Sequence, residues 1–503
     1  MAERRKNPLI IGTDTVIYHD TSEEFSLPDY VPEIRKVLAV TAQALPESKY
    51  ISEGNEASVL DFGGSVTYSL IYTDEDGSLS ALPLNSAYEA KAQITPEPKG
   101  TFIDTTVDSA NCRVIGPRRV NLKSKLKSRI LAFREANVSE NIGPKSSADE
   151  LYIERLVQGY EGLDFSTHSL QGIKINERLD KGGKPLWCDA QGIVRDVKAQ
   201  RGSVSVKGDV IVKCLVNKNG KIEVVEKQIP FFEEVEAEGC ETGDTAQANI
   251  RCVSLAISNE EANSEESLFF DLECEIECET FKPMQVQITK DAYSTKNEME
   301  NEYKIQSLNS LLKVQNSSFS ISEGLKRKNK DIESIIQIIP NPVVEKTEAK
   351  GSRAIVTGKV EIVLIGTREL ENAENEYLSE SYEIPFRYEL DLGKSTQNAI
   401  IRALAQCIGM NARYEKDMIY VNGEINMGIT AYEQNEVNML YKGTILKEKE
   451  IKKDTSCLKI YFPKDSDTLW EIAKMYHTRV ADICEENDVD KDTRLSASKL
   501  IIE

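Results

Sequence analysis

The chain has 503 residues, 40% hydrophobic and 29% charged. That length exceeds one ordinary core, and the balance is that of several packed globular domains rather than of a disordered or fibrous chain. A formal charge of −21, from 83 acidic against 62 basic residues, repels phosphate backbones and anionic lipid surfaces, so nucleic acid is not expected as a partner.

The opening Met1-Ala2-Glu3-Arg4-Arg5-Lys6 is basic, but Ile10-Ile11 is too short for a secretory apolar region and Asp14 soon interrupts it. Further along, no stretch approaches the ~20 apolar residues of a membrane span. The expected location is therefore the cytosol.

A weak internal repeat then runs through the chain with a period of about 150 residues, too long for a solenoid and suited to tandem domains. Its first anchor is a glycine entering a β-branched run: Gly64-Ser65-Val66, Gly208-Asp209-Val210 and Gly358-Lys359-Val360. A second anchor follows in Leu82-Pro83-Leu84, Ile229-Pro230-Phe231 and Ile384-Pro385-Phe386. Turn-rich or acidic residues lie between the anchors, which is the layout of a hairpin with a loop of variable length. The modules are placed at 1–140, 150–310 and, more divergent, 315–446. Polar joins are expected at 140–161 and 293–318.

Within the second module, Leu268, Phe270, Leu272, Cys274, Ile276 and Cys278 alternate with Asp271, Glu273, Glu275, Glu277 and Glu279. Alternation of this kind puts one face in a core and leaves a carboxylate ladder in water. A hard-cation site is disfavoured, because such sites gather ligands from a tight loop. In the first module, Lys123, Lys125, Lys127 and Arg129 share a strand face, which reads as a solvated surface or a contact for an acidic partner.

Little in the chain suggests chemistry. None of its ten cysteines forms a C-x-x-C pair, and its three histidines sit far apart. Those patterns argue for reduced apolar thiols and against a zinc site or histidine acid–base catalysis. No nucleophile triad, phosphate loop or dinucleotide motif stands in a credible context. The expectation is no enzyme: no catalytic residues, no metal and no cofactor.

Residues 447–454 are almost wholly charged and read as an exposed linker that sets 455–503 apart. In that last unit, Leu458-Lys459-Ile460-Tyr461-Phe462 suits a short strand and Pro463 ends it. Thr468-Leu469-Trp470-Glu471 fits a capping box, with Leu469, Ile472, Ala473 and Tyr476 on one helical face. Trp470 falls off that stripe, so part of its ring is expected toward solvent or a partner. Thr478 can open a second helix, and Leu500-Ile501-Ile502 a returning strand. The fold class is thus mainly β: three tandem sandwich-like modules followed by a small β-α-α-β unit.

Ser466-Asp467-Thr468-Leu469-Trp470-Glu471-Ile472-Ala473, with Ile483, Asn487 and the final strand, closely resembles a LysM domain. That resemblance implies a site for N-acetylglucosamine glycans or for a protein partner, formed by Ser466, Asp467, Thr468 and Leu469 with Val489, Asp490 and Lys491. Leu458, Ile460 and Trp470 join it as candidate contacts. The family's glycine before Asp-Thr is Ser466 here, and its Pro-Gly before the last strand is replaced by Ser496-Ala497-Ser498.

Upstream, residues 24–34, Gly116-Pro117-Arg118-Arg119-Val120-Asn121-Leu122 and Asp291-Ala292-Tyr293-Ser294-Thr295 are similar to signature stretches of the SPOCS domain. Tandem copies followed by one LysM domain resemble the SipL-type spore morphogenesis proteins. The resemblance implies a mother-cell protein at the forespore surface, in the spore coat. Its LysM domain would engage the coat basement-layer ATPase, stage IV sporulation protein A, alongside other coat proteins. The LysM resemblance also implies a second class, a cell-envelope protein that binds peptidoglycan through N-acetylglucosamine, against which the missing export signal counts.

Overall fold

The computed structural model describes residues 7–138, 141–143, 151–179, 183–262, 265–370, 375–452, 459–491 and 499–502. The mainly-β expectation holds, and one strand plan recurs three times. In the first repeat, β1 (Leu9–Ser26) is followed by a meander of β2 (Lys36–Ser52), β3 (Ser58–Thr73) and β4 (Leu79–Ile94), then by β5 (Gly100–Gly116) and β6 (Arg119–Glu135). The meander is one sheet of a sandwich, and β6, flanked by β1 and β5, is the centre of the other. A short β7 (Asn141–Gly143) pairs in parallel with a later strand.

The second repeat copies this plan with β8 (Ile153–Leu179), the meander β9 (Lys184–Gln200), β10 (Ser203–Lys218) and β11 (Lys221–Glu236), then β12 (Thr245–Ala262) and β13 (Glu265–Ser294). The third uses β14 (Asn297–Lys326), β15 (Ser334–Lys350), β16 (Arg353–Glu369), β17 (Asn375–Asp391), β18 (Ala399–Glu415) and β19 (Met418–Glu450). Each sandwich closes over the alternate apolar residues of its own strands, such as Val210, Val212, Cys274 and Ile276 in the second.

The anchor glycines owe their recurrence to one local device. Gly208 lies where the β9–β10 register slips, and a Cβ there would sit 2.0 Å from the Ile193 carbonyl oxygen. Gly358 repeats this against Val343 at 2.2 Å, and Gly64 against Leu45. Only glycine admits so close a backbone at a bulge. Across the next ladder each glycine faces an aromatic residue, Tyr88, Phe231 or Phe386, and the rings of the last two lie over their glycines. The second anchor is therefore equivalent in the last two repeats only. Leu82-Pro83-Leu84 pairs instead with Tyr68-Ser69-Leu70, and Tyr88 fills the aromatic position.

The expected joins are structured where they are described, residues 140 and 144–150 lying outside the described residues. β8 begins at Ile153, inside the segment 140–161, and a two-residue turn separates Ser294 from Asn297, so 293–318 is mostly strand. The charged segment 447–454 divides as well. Lys447–Glu450 continue β19, where Glu450 faces Asn297, and 453–458 lie outside the described residues.

The repeats are fused rather than strung on tethers. Phe133, Phe281 and Tyr432 occupy matching places on β6, β13 and β19, opposite Ile11, Phe165 and Leu311. Their rings meet in one cluster: Tyr432 lies 5.8 Å from Phe133 and 6.1 Å from Phe281, and Phe165 bridges the latter two at 5.0 and 5.5 Å. A second shared cluster joins Leu38 and Ile71, Trp187 and Leu215, and Ile339 and Ile365, one pair from each repeat. Residues of all three repeats, Trp187 and Ile339 of this cluster among them, line a cavity of about 730 Å³.

This fusion alters two expected surfaces. The ladder from Asp271 to Glu279 leaves water along its length: Asp271 and Glu273 are exposed, Glu277 pairs with Arg251 at 3.1 Å, and Glu279 is buried. Glu279 forms an ion pair with Arg402 of the third repeat, whose guanidinium also stacks 4.3 Å from the Phe102 ring centroid of the first. Thr430 and Gln247 complete that network. On the basic face, Lys127 donates to the Val344 carbonyl at 2.8 Å, and Arg129 donates to the Ile401 carbonyl while pairing with Asp14 at 3.0 Å. These cations tie the first repeat to edge strands of the third, which satisfies carbonyls an open edge would expose.

Candidate functional site

The C-terminal module consists of β20 (Lys459–Tyr461), α1 (Leu469–Tyr476), α2 (Val480–Asn487) and β21 (Leu500–Ile502), with β20 and β21 antiparallel. The capping box is present: the Thr468 hydroxyl accepts from Glu471 N, and Thr468 N donates to the Glu471 carboxylate at 3.0 Å. Asn487 stitches the second helix to the last strand, donating to the Ile501 carbonyl at 2.8 Å and accepting from Ile501 N at 2.7 Å. Leu469, Ile472, Ala473, Ile483, Leu500 and Ile502 form the core.

The candidate site residues separate into groups. Leu458 lies outside the described residues. Ser466 is exposed, and Asp467 braces its own loop by accepting from Tyr461 Oη at 2.8 Å and Lys464 N at 2.9 Å. Those bonds, the backbone amide first, hold the Asp467 carboxyl below the usual carboxylate range. Thr468 is occupied by its cap. Leu469 is buried, and Val489 packs against the core from its edge. Asp490 and Lys491 stand exposed after α2, and Ile460 is half exposed on β20. Phe462, two positions on, is 74% exposed, and Met475 on α1 is 61% exposed. Sequence reading passed over both, although Phe462 continues the i, i+2 alternation from Ile460.

Trp470 does leave the helix stripe, but the surface that receives it belongs to the same chain. Its Nε1–H donates to Asp291 Oδ2 at 2.9 Å, and its ring packs edge-on against Tyr293, with centroids 4.9 Å apart. Lys474 Nζ, one turn along, reaches the same oxygen at 2.6 Å. The other oxygen of Asp291 accepts from Tyr303 Oη at 2.7 Å and Asn301 Nδ2 at 3.2 Å, both from the third repeat. Burial pushes this carboxyl up, yet the donors prevail and hold it below its ordinary range. Tyr293 is itself part of the module's core, and its hydroxyl donates to the Thr478 carbonyl at 2.8 Å. Arg479 adds a bond to the Leu151 carbonyl at 2.7 Å and an ion pair with Glu154 at 3.5 Å. The stretch Asp291-Ala292-Tyr293 is thus the landing site of the module.

Residues 464–501 match the family model of the LysM domain, and residues 183–258 match that of the SipL SPOCS domain. The chain carries a SipL SPOCS domain and a LysM domain. Both agree with the resemblance drawn from the sequence and mark a SipL-like sporulation protein whose last module is of a glycan-binding class. No curated protein matches the chain.

The SPOCS match covers the β9–β11 meander and most of β12. The first and third repeats share its strand plan and its glycine-at-bulge device, which extends the likeness by structure beyond the matched residues. Among the described residues, no helix is long and apolar enough to cross a membrane.

Proposed function

We propose that the chain is a non-enzymatic scaffold in assembly of the bacterial spore envelope. It docks through its LysM domain onto the coat basement-layer ATPase, stage IV sporulation protein A, at the forespore surface from the mother-cell cytosol. The observation that carries this reading is the pairing of a SPOCS domain with a LysM domain that leaves Ile460 on β20 and Phe462, just beyond its end, exposed. Exposed apolar side chains rimmed by charge suit a protein partner. The Ser466-Asp467-Thr468 loop, by contrast, spends its polar groups on its own bracing and cap. Many copies attached to a polymeric layer would let modest single contacts add up.

Co-purification from a sporulating culture, comparing the full chain with one ending at Asp454, tests this. The ATPase should follow the full chain and be lost from the shortened one; equal recovery overturns the reading. A second reading, attachment to peptidoglycan through N-acetylglucosamine, is supported by the LysM class itself. Retention of the full chain on insoluble peptidoglycan, with no ATPase captured, would decide for it.

A further inference from the structure

The LysM domain is seated on the body of the protein, and the seat is prepared for it. Tyr303 and Asn301 of the third repeat hold Oδ1 of Asp291, which leaves Oδ2 to the module. Two donors from one helix, Trp470 and Lys474, converge on that oxygen. Tyr293 enters the module's apolar core, and Arg479 clasps Leu151 and Glu154 at the start of β8. The covered face is therefore the Trp470 face of α1, whereas Ile460, Phe462 and Met475 remain in solvent.

We propose that this arrangement is a closed state in which the body withholds Trp470 from external partners. Breaking the Asp291 contact frees the Trp470 face of α1 from the body. The inference rests on the LysM domain as the docking element. It adds that partner capture through Trp470 competes with an intramolecular contact, so the measured affinity is lowered by the closed fraction.

The test uses the full chain labelled with 5-fluorotryptophan. Only two tryptophans exist, so two fluorine resonances appear, and Trp470→Phe assigns them. Asp291→Ala, and separately Lys474→Ala in case the first variant folds poorly, should move the Trp470 resonance toward its solvent-exposed position and at least triple its solvent isotope shift. The Trp187 resonance should stay in place. An unmoved Trp470 resonance in both variants overturns the closed state. Capture of the coat ATPase is measured on the same proteins. Asp291→Ala should raise capture at least threefold and Trp470→Ala should lower it; capture that Asp291→Ala leaves equal or weaker overturns the competition. If neither the parent nor any variant binds the ATPase, the scaffold reading fails, and the fluorine result still decides whether the module is closed.

Discussion

The indole N–H of Trp470 meets the Asp291 carboxylate at 2.9 Å, across 179 positions of sequence. Lys474 shares the same oxygen, so one carboxylate carries both polar contacts of α1 with the body. One titratable group therefore governs how α1 sits, alongside the Arg479–Glu154 pair at the start of the second helix.

Acid should release it. The Asp291 carboxyl lies below its ordinary range in the docked state, so docking is favoured at pH values above the unfolded carboxylate value of about 4. It weakens as pH falls through the depressed value. Amide hydrogen exchange across α1 should rise on acidification before the repeats lose protection. Simultaneous loss in both regions would contradict this.

The cap of α1 makes a local prediction. Thr468→Ala removes the acceptor for Glu471 N and should cost about 1 kcal/mol of module stability, with Thr468→Ser restoring most of it. Thermal melts followed by exchange at α1 report the difference, and the three repeats should be untouched.

The buried ion pair predicts a larger effect. Arg402→Ala leaves Glu279 enclosed without its cation and should cost about 3–5 kcal/mol in urea unfolding. Adding Glu279→Gln should recover part of that loss. Failure of the second change to help would mean that Arg402 acts through its stacking on Phe102 instead.

Glycine substitutions separate the bulge device from ordinary turns. Gly208→Ala forces a methyl group against the Ile193 carbonyl and should destabilise by about 1–3 kcal/mol. Gly116→Ala, where nothing lies within 4 Å, should fall within about 0.5 kcal/mol of the parent. Chemical denaturation of the two proteins side by side checks the contrast.

Much of the site was legible because its determinants are local. A Thr three residues before a Glu caps a helix wherever the chain places it, and a residue off the apolar stripe of α1 must point away from the module's core. Ile460 was within reach of the same logic, and Phe462 would have been found by carrying the alternation two residues further. Asp291 was quoted only as part of a familiar stretch, since nothing near it in sequence announces a tryptophan so far along the chain.

The amino-acid sequence alone determined the strand periodicity, the threefold repetition, the glycine anchors and the β-α-α-β tail, because each is written in local residue patterns, and the repeat is one such pattern recurring about every 150 residues. Tertiary structure decided the rest. Alternation along β13 distinguishes one sheet face from the other, but it cannot say whether water or another repeat lies against the outer face. At Asp271 it is water, and at Glu279 it is Arg402. The charged segment before the tail likewise reads as a tether until β14 arrives to set Asn297 against Glu450 and the second repeat offers Asp291 and Tyr293 to the module. Those outcomes depend on which surfaces meet, and surfaces meet only once the repeats have packed.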